Sequence, residues 1–284
     1  MKKNLTAFAC IIIAAGFSAC GKGGSDTPKT PTVVPPVIIE DKAWTFETTP
    51  YFADEFDVAG APSTANWKYE TGGGGWGNSE LEYYTPGGNV AVADGKLSIT
   101  AKKEEMGGMH YTSTRLVSTG LQLAKFGRIE IKAKLPTGRG TWPAIWMMPQ
   151  DSKYGGWPKS GEIDIMEMVG FDPGNIHFTV HNETFNGANG KGDAKIVPTF
   201  NTEYHVYRVD WTPYALRGYI DDALVYTYVN NGGGSSVYPY DQNFFLIMNI
   251  AVGGGWGGQM GVDDAVFPAT MNVDYVHFYK MIDK

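Results

Sequence analysis

The chain has 284 residues and a formal net charge of −7, which argues against nucleic acid or an anionic bilayer as the partner of its surface. The same acidity disfavours a polyanionic substrate unless a local basic cleft overrides it. Thirty-seven Gly, sixteen Tyr and eight Trp suit an all-β domain with many tight turns. Exposed aromatic rings also suit sugar binding, because a pyranose has an apolar C–H face that stacks on an indole.

Residues 1–19 read as an export signal: a basic "MKKN", an apolar "LTAFACIIIAAGF" too short to span a bilayer, then small residues before Cys20. The placement of Cys20 resembles a bacterial lipoprotein signal, in which cleavage leaves the Cys as the lipidated first residue. A plain signal peptide is the alternative. Residues 20–42, "GKGGSDTPKTPTVVPPV" within them, read as a flexible linker. The expected location is therefore a membrane-anchored lipoprotein on a bacterial cell surface or outer membrane, meeting the membrane only through its lipid. Cys10 and Cys20 are the only cysteines, so the domain at 43–284 has no internal disulfide and depends on its core. Losing Lys2 and Lys3 with the signal moves the net charge from −7 to −9.

Strand patterns dominate the domain. "VADGKLSITAKK" (92–103) sets Asp94-Gly95 between two runs, a hairpin signal. "GRIEIKAKL" (127–135) alternates apolar and charged residues, as a half-exposed strand does. "HVYRVDW" (205–211), "LRGYIDD" (216–222), "LVYTYV" (224–229), "FFLIMNIAV" (244–252) and "VDYVHFYK" (273–280) continue the series. No long segment carries a 3.6-residue apolar period. Many regularly spaced strands predict a sandwich or jelly roll.

Two glycine clusters, "GGGGWGN" (72–78) and "GGGWGG" (253–258), formally match G-x-G-x-x-G, but neither opens a helix within a βαβ unit. They read better as loops whose glycines let the backbone approach a ligand while Trp76 and Trp256 supply flat surfaces. His177 and His181 have the i, i+4 spacing of a helical zinc motif. Their surroundings, "IHFTVHNETF", look like a strand, which would hold them roughly 13 Å apart, a poor fit to one ion. No G-x-S-x-G is present for a serine nucleophile.

The carboxylates of "GEIDIMEMVG" (161–170) remain. On a strand Glu162 and Asp164 share a face, and Glu167 has the wrong parity. Three acids among Ile163, Ile165, Met166, Met168 and Val169 are costly to bury without a purpose. Glycosidase chemistry needs two carboxyl groups flanking one bond, and a separation of about 5–5.5 Å gives a retaining, covalent route. Glu167 joins the face of the other two only if the strand carries an extra residue near Ile165-Met166. A β-bulge is therefore predicted there.

"GEIDIME" resembles the catalytic signature of glycoside hydrolase family 16, in its laminarinase-like form with the additional Met. "GWGNSELEYYT" (75–85), "YTSTRL" (111–116), "GTWPAIWMMP" (140–149), "GGWPKSGEIDIME" (155–167), "HFTVHNETFN" (177–186), "FFLIMNIAVGGGWGG" (244–258) and "VDYVHFY" (273–279) resemble it too, in the family's order. The resemblance implies a β-jelly-roll of two packed, curved sheets with a cleft along the concave face. It implies Glu162 as nucleophile, Glu167 as acid/base and Asp164 as the group that tunes the pair. Trp142 and Trp146, four apart on an apparent strand, are implied to line subsites beside the nucleophile; core packing is the other reading of either one. Asn78 and Arg115 are implied to bind hydroxyls on the non-reducing side, His181 to lie close to the acids, and Trp256 to lie beyond the cleavage point. Trp157 also borders the implied cleft.

No catalytic cofactor is expected. A structural calcium would take Asp274 as its side-chain ligand, with backbone help near Gly95. Ser79 and His277 depart from the family's pattern, where Asn and Arg are expected. The implied activity is retaining endo-hydrolysis of β-1,3-glucan or mixed-linkage β-1,3-1,4-glucan by a monomer. The alternatives are a hydrolase of β-linked galactans such as agar, porphyran or carrageenan, and a non-catalytic glycan-binding lipoprotein.

Overall fold

The computed structural model describes residues 40–284. The expected signal at 1–19, Cys20 and all of the linker before Glu40 lie outside the described residues.

Two antiparallel sheets of eight strands each form the domain, as the strand patterns predict. One, here the outer sheet, runs Ala223–Val229, Ala215–Ile220, His205–Trp211, Gly127–Lys134, Ala269–Tyr279, Lys96–Ala101, Val90–Ala93, with Phe52–Asp54 beside Ala269–Tyr279. The other, the cleft sheet, runs Lys191–Ile196, Asn175–His181, Glu162–Glu167, Thr141–Pro149, Phe244–Val252, Arg115–Val117, Lys68–Glu70, with Leu123–Ala124 beside Phe244–Val252. Among the described residues the helical elements are two short 3-10 turns, Gly187–Asn189 and Asp264–Val266. Trp44–Phe46 pairs with Met281–Asp283, so the first and last strands of the domain close on each other.

Period-two patterning decides which side chains enter the sandwich. Along Gly127–Lys134 buried and half-exposed residues alternate, sending Ile129, Ile131 and Ala133 inward and Arg128, Glu130, Lys132 and Lys134 outward. Asn175–His181 answers from the cleft sheet: Ile176, Phe178 and Val180 go into the core, while His177, Thr179 and His181 face the other way. The Asp94-Gly95 hairpin forms as predicted. Ala93 pairs with Lys96, and both loop residues have positive φ, 52° and 68°, as a type I′ turn requires.

The two sheets approach closely at one point. A Cβ placed on Gly218 of the outer sheet would lie 2.1 Å from the Phe178 ring of the cleft sheet. Only a hydrogen fits between that backbone and the buried ring. Gly218→Ala is expected to lower stability by about 1–3 kcal/mol through overpacking. Urea denaturation checks this, and an unchanged midpoint would show that Phe178 has room to move.

Candidate active site

The site begins with the strand Glu162–Glu167. On one neighbour, Trp146 pairs with Asp164 and Ala144 with Glu167; on the other, Thr179 pairs with Asp164 and His177 with Glu167. Two steps on each neighbour therefore match three on this strand. The extra residue is the expected bulge, and Ile165 and Met166 are both buried across it. Glu162, Asp164 and Glu167 consequently share the face that lines a cleft of about 780 Å³.

Each acid is held differently. Glu162 Oε2 accepts the Trp157 indole N–H at 2.6 Å, and Glu167 Oε1 accepts that of Trp142 at 2.8 Å. Asp164 is only 4% exposed, with Oδ2 3.1 Å from His181 Nε2; Glu162 Oε1 is 3.9 Å from the same nitrogen. Burial first, then the charge of Asp164, pushes both glutamates up to about 8. Burial likewise raises Asp164 to about 7. Hydrogen bonding between Glu162 and Asp164 raises the former and lowers the latter. The two indole N–H groups oppose the rise by favouring the charged form of each glutamate. The donor atoms of Glu162, Asp164 and His181 lie within 4.8 Å of one another. This is close enough for one divalent ion.

The other expected residues surround the acids. Asn78, Arg115, Trp142, Trp146, Trp157, His181 and Trp256 all line the cleft. Trp142 meets Trp256 edge-on at 5.8 Å, and His177 also meets Trp256 edge-on, at 5.0 Å. The Arg115 guanidinium is stacked on Trp146 at 4.6 Å and on Trp76 at 5.0 Å, and its Nε donates to Glu70 at 2.5 Å. Trp146 donates its N–H to Asn249 Oδ1 at 2.7 Å, which locks the ring.

Some assignments shift. Trp76 is no sugar platform: it lies behind Arg115, its N–H bonded to the Gly72 carbonyl and its ring against Tyr84. The glycines of 253–258 serve the loop's packing. A Cβ on Gly257 would sit 2.8 Å from Trp142 Cβ, so the loop lies directly against that side chain, and Gly255 N–H bonds the Asn78 carbonyl at 2.7 Å. Ser79 adopts φ +60°, a left-handed conformation that Asn tolerates better, which gives the departure at that position a small physical cost. His277, the other departure, stacks on Tyr275 at 4.1 Å and bonds Glu55, away from the cleft.

Cleft residues that the motifs did not single out include Glu80, Thr179, Asp193, Asn249 and Gln259. The one signal available was Asn249, a lone amide inside the apolar run "FFLIMNIAV".

The expected calcium ligands are differently engaged. Asp274 is bonded by Lys96 Nζ at 2.6 Å and Lys132 Nζ at 2.9 Å, and Lys96 Nζ also meets the Gly95 carbonyl at 3.2 Å. Two ammonium groups of the chain's own fill the place of a cation, so these residues do not fit a calcium ion.

The family model for glycosyl hydrolases family 16 matches residues 77–277. The chain belongs to that family. A β-glucanase of Rhodothermus marinus is 49% identical over 243 residues, covering 82% of this chain and 85% of that one. The X-ray structure of the laminarinase from Rhodothermus marinus superposes with a TM-score of 0.82 at 46% identity, over 85% of this chain and all of the other. A family member described as a non-specific endo-β-1,3(4)-glucanase, co-crystallised with 1,3-β-D-cellotriosyl-glucose, gives 0.79 at 39% identity over 87% of this chain and 98% of the other.

A chelator is expected to leave the melting temperature of this member unchanged. Thermal unfolding with and without EDTA checks this, and a drop of several degrees would restore a structural calcium.

Proposed function

We propose that the chain hydrolyses β-1,3-containing glucans internally, laminarin-type or mixed-linkage β-1,3-1,4-glucan, with retention of configuration. The observation that carries the reading is the bulged strand, which puts Glu162 and Glu167 on one cleft face with Asp164 between them, each outer acid holding its own indole N–H. Similarity to glucanases supports the substrate class. Among the described residues that line the cleft Arg115 is the only Lys or Arg, and it is bonded to Glu70, which argues against a sulfated galactan.

Glu167, protonated, gives its proton to the glycosidic oxygen as that bond breaks. Glu162, ionised, attacks the anomeric carbon and forms a glycosyl ester. For this Glu162 gives up its proton, and the Trp157 N–H stabilises the charge it then carries. Once Glu162 is esterified its charge is gone. Glu167, now a carboxylate, takes a proton from water, and the resulting hydroxide attacks the anomeric carbon to release Glu162. No metal enters these steps. Trp142, Trp146, Trp157 and Trp256 supply stacking faces, with Asn78 and Arg115 as hydroxyl partners. The domain works as a monomer, exported and tethered to the membrane through lipidated Cys20 and its linker. The sequence around Cys20 supports this part of the proposal.

Glu162→Gln in the full chain is expected to abolish reducing-end release from laminarin and mixed-linkage glucan while leaving glucan binding largely intact. It is also expected to raise the melting temperature at neutral pH. An acid whose folded pKa is raised contributes stability below its unfolded pKa and loses it as pH rises through the folded value, and Gln carries no charge to lose. Full turnover in this variant, or release from galactans alone by the unsubstituted chain, would overturn the assignment.

The pH profile offers a second check. Glu167 must be protonated, so activity falls as pH rises through about 8. Trp142→Phe removes a donor that favours the carboxylate, so Glu167 keeps its proton to higher pH and the alkaline limb of kcat/KM moves up. A limb that stays in place would show that Glu167 is not the acid.

A further inference from the structure

A second pair of buried acids lies beside the cleft, outside the reacting trio. Glu80 is 5% exposed and Glu82 is fully buried. Glu80 Oε1 accepts the Asn78 side-chain N–H at 3.0 Å, and Glu80 Oε2 accepts the Tyr84 hydroxyl at 2.9 Å. Asn249 Nδ2 donates to the Tyr84 oxygen at 3.0 Å, and Trp146 Nε1 donates to Asn249 Oδ1 at 2.7 Å. Asn78, Glu80, Asn249 and Trp146 all line the cleft, so Glu80 is the hub of one of its walls.

Glu82 stands behind that hub. Its Oε2 accepts the Val252 backbone N–H at 2.6 Å, and its Oε1 is sealed from solvent with no donor facing it. Among the described residues no Lys, Arg or His forms an ion pair with either acid. Arg115, whose charge acts on Tyr84, is bonded to Glu70 and stacked on Trp76 and Trp146. The remaining titratable group is Tyr84, which already donates to Glu80. Two carboxylates so placed cannot both ionise without water. Burial first, then the charge of Glu80 and its capacity to accept a hydrogen bond, push Glu82 well above the usual carboxylate range.

We propose that Glu80 and Glu82 share a single proton, kept on Glu82 Oε1, and that this proton makes Glu82 a positioning residue for the glucan cleft. The proton turns an acceptor–acceptor contact into a hydrogen bond to Glu80. Glu80 then holds Asn78 directly, and Trp146 through Tyr84 and Asn249. When the proton is lost the two carboxylates repel, and Glu80 is driven from the contacts that set Asn78 and Tyr84. The cleft therefore has a second alkaline limit, on binding, separate from the protonation of Glu167. The role in sugar binding rests on the glucanase reading.

The test uses the full chain carrying Glu162→Gln, so that bound glucan is not consumed. Binding of a β-1,3-linked gluco-oligosaccharide is followed by calorimetry from neutral to alkaline pH, beside the Glu162→Gln/Glu82→Gln double variant. Gln keeps the shape of Glu82 and replaces the shared proton with a permanent N–H. Affinity of the single variant is expected to fall by up to about tenfold per pH unit above the titration of Glu82. The double variant is expected to lack that fall. Glu167 titrates in both chains, so its effect cancels in the comparison. An infrared difference spectrum of Glu82→Gln against the unsubstituted chain at neutral pH is expected to lose one protonated-carboxyl band. An equal alkaline fall in both chains, or no lost band, would overturn the proposal while the glucanase reading stands. Failure of both chains to bind glucan at any pH would overturn that reading, and the positioning role with it.

Discussion

One extra residue in the strand Glu162–Glu167 is the constraint on which the rest of the site depends. A regular strand would send Glu167 to the face opposite Glu162 and Asp164, into the apolar core. There it would lie among residues such as Ile163 and Ile165, with no donor for its charge. The bulge reverses that outcome at the cost of a local break in the ladder. It also leaves Ile165 and Met166 both buried, so the apolar content of the strand is not lost to solvent.

Bringing three acids together raises the cost of charging any of them, and the surroundings divide that cost unevenly. Asp164 is buried against His181, while the two glutamates open onto the cleft and each take one indole N–H. Burial acts on all three alike; the hydrogen bonds distinguish them. One member of a catalytic carboxylate pair must give a proton while the other stays charged, a division that the matching indole N–H groups leave to the neighbours Asp164 and His181. The aromatic residues thus have two functions, presenting faces to the sugar and tuning the acids beneath it.

The wall of the cleft is built from the same principle of matched donors and acceptors. Trp146, Asn249, Tyr84, Glu80 and Asn78 form one continuous hydrogen-bonded line across strands distant in sequence. Glycine at 257 lets the loop 253–258 lie against Trp142, and glycine at 218 lets the outer sheet close over Phe178 beneath the cleft sheet. Both the floor and the rim are therefore held by close backbone approach that a larger residue would prevent.

The chain order of strands, the Asp94-Gly95 hairpin and the bulge were legible in the sequence, because period-two burial and turn chemistry are local properties. The carboxylate trio was legible for a related reason: acids in an apolar strand contradict the burial pattern unless they share a function. Glycine and tryptophan in "GGGGWGN" marked a loop at the cleft, and did not reveal that Trp76 faces Arg115 instead of sugar. Nor did Asp274 and Gly95 disclose the two lysines that surround them, since Lys132 reaches Asp274 from a different strand. The sequence by itself determined the longer strands, which face of each is apolar and where the parity must break. Only the tertiary structure decided which indole serves which acid, and that Glu82 lies buried without a cation. Those outcomes depend on contacts between strands far apart in the chain, which local patterns do not encode.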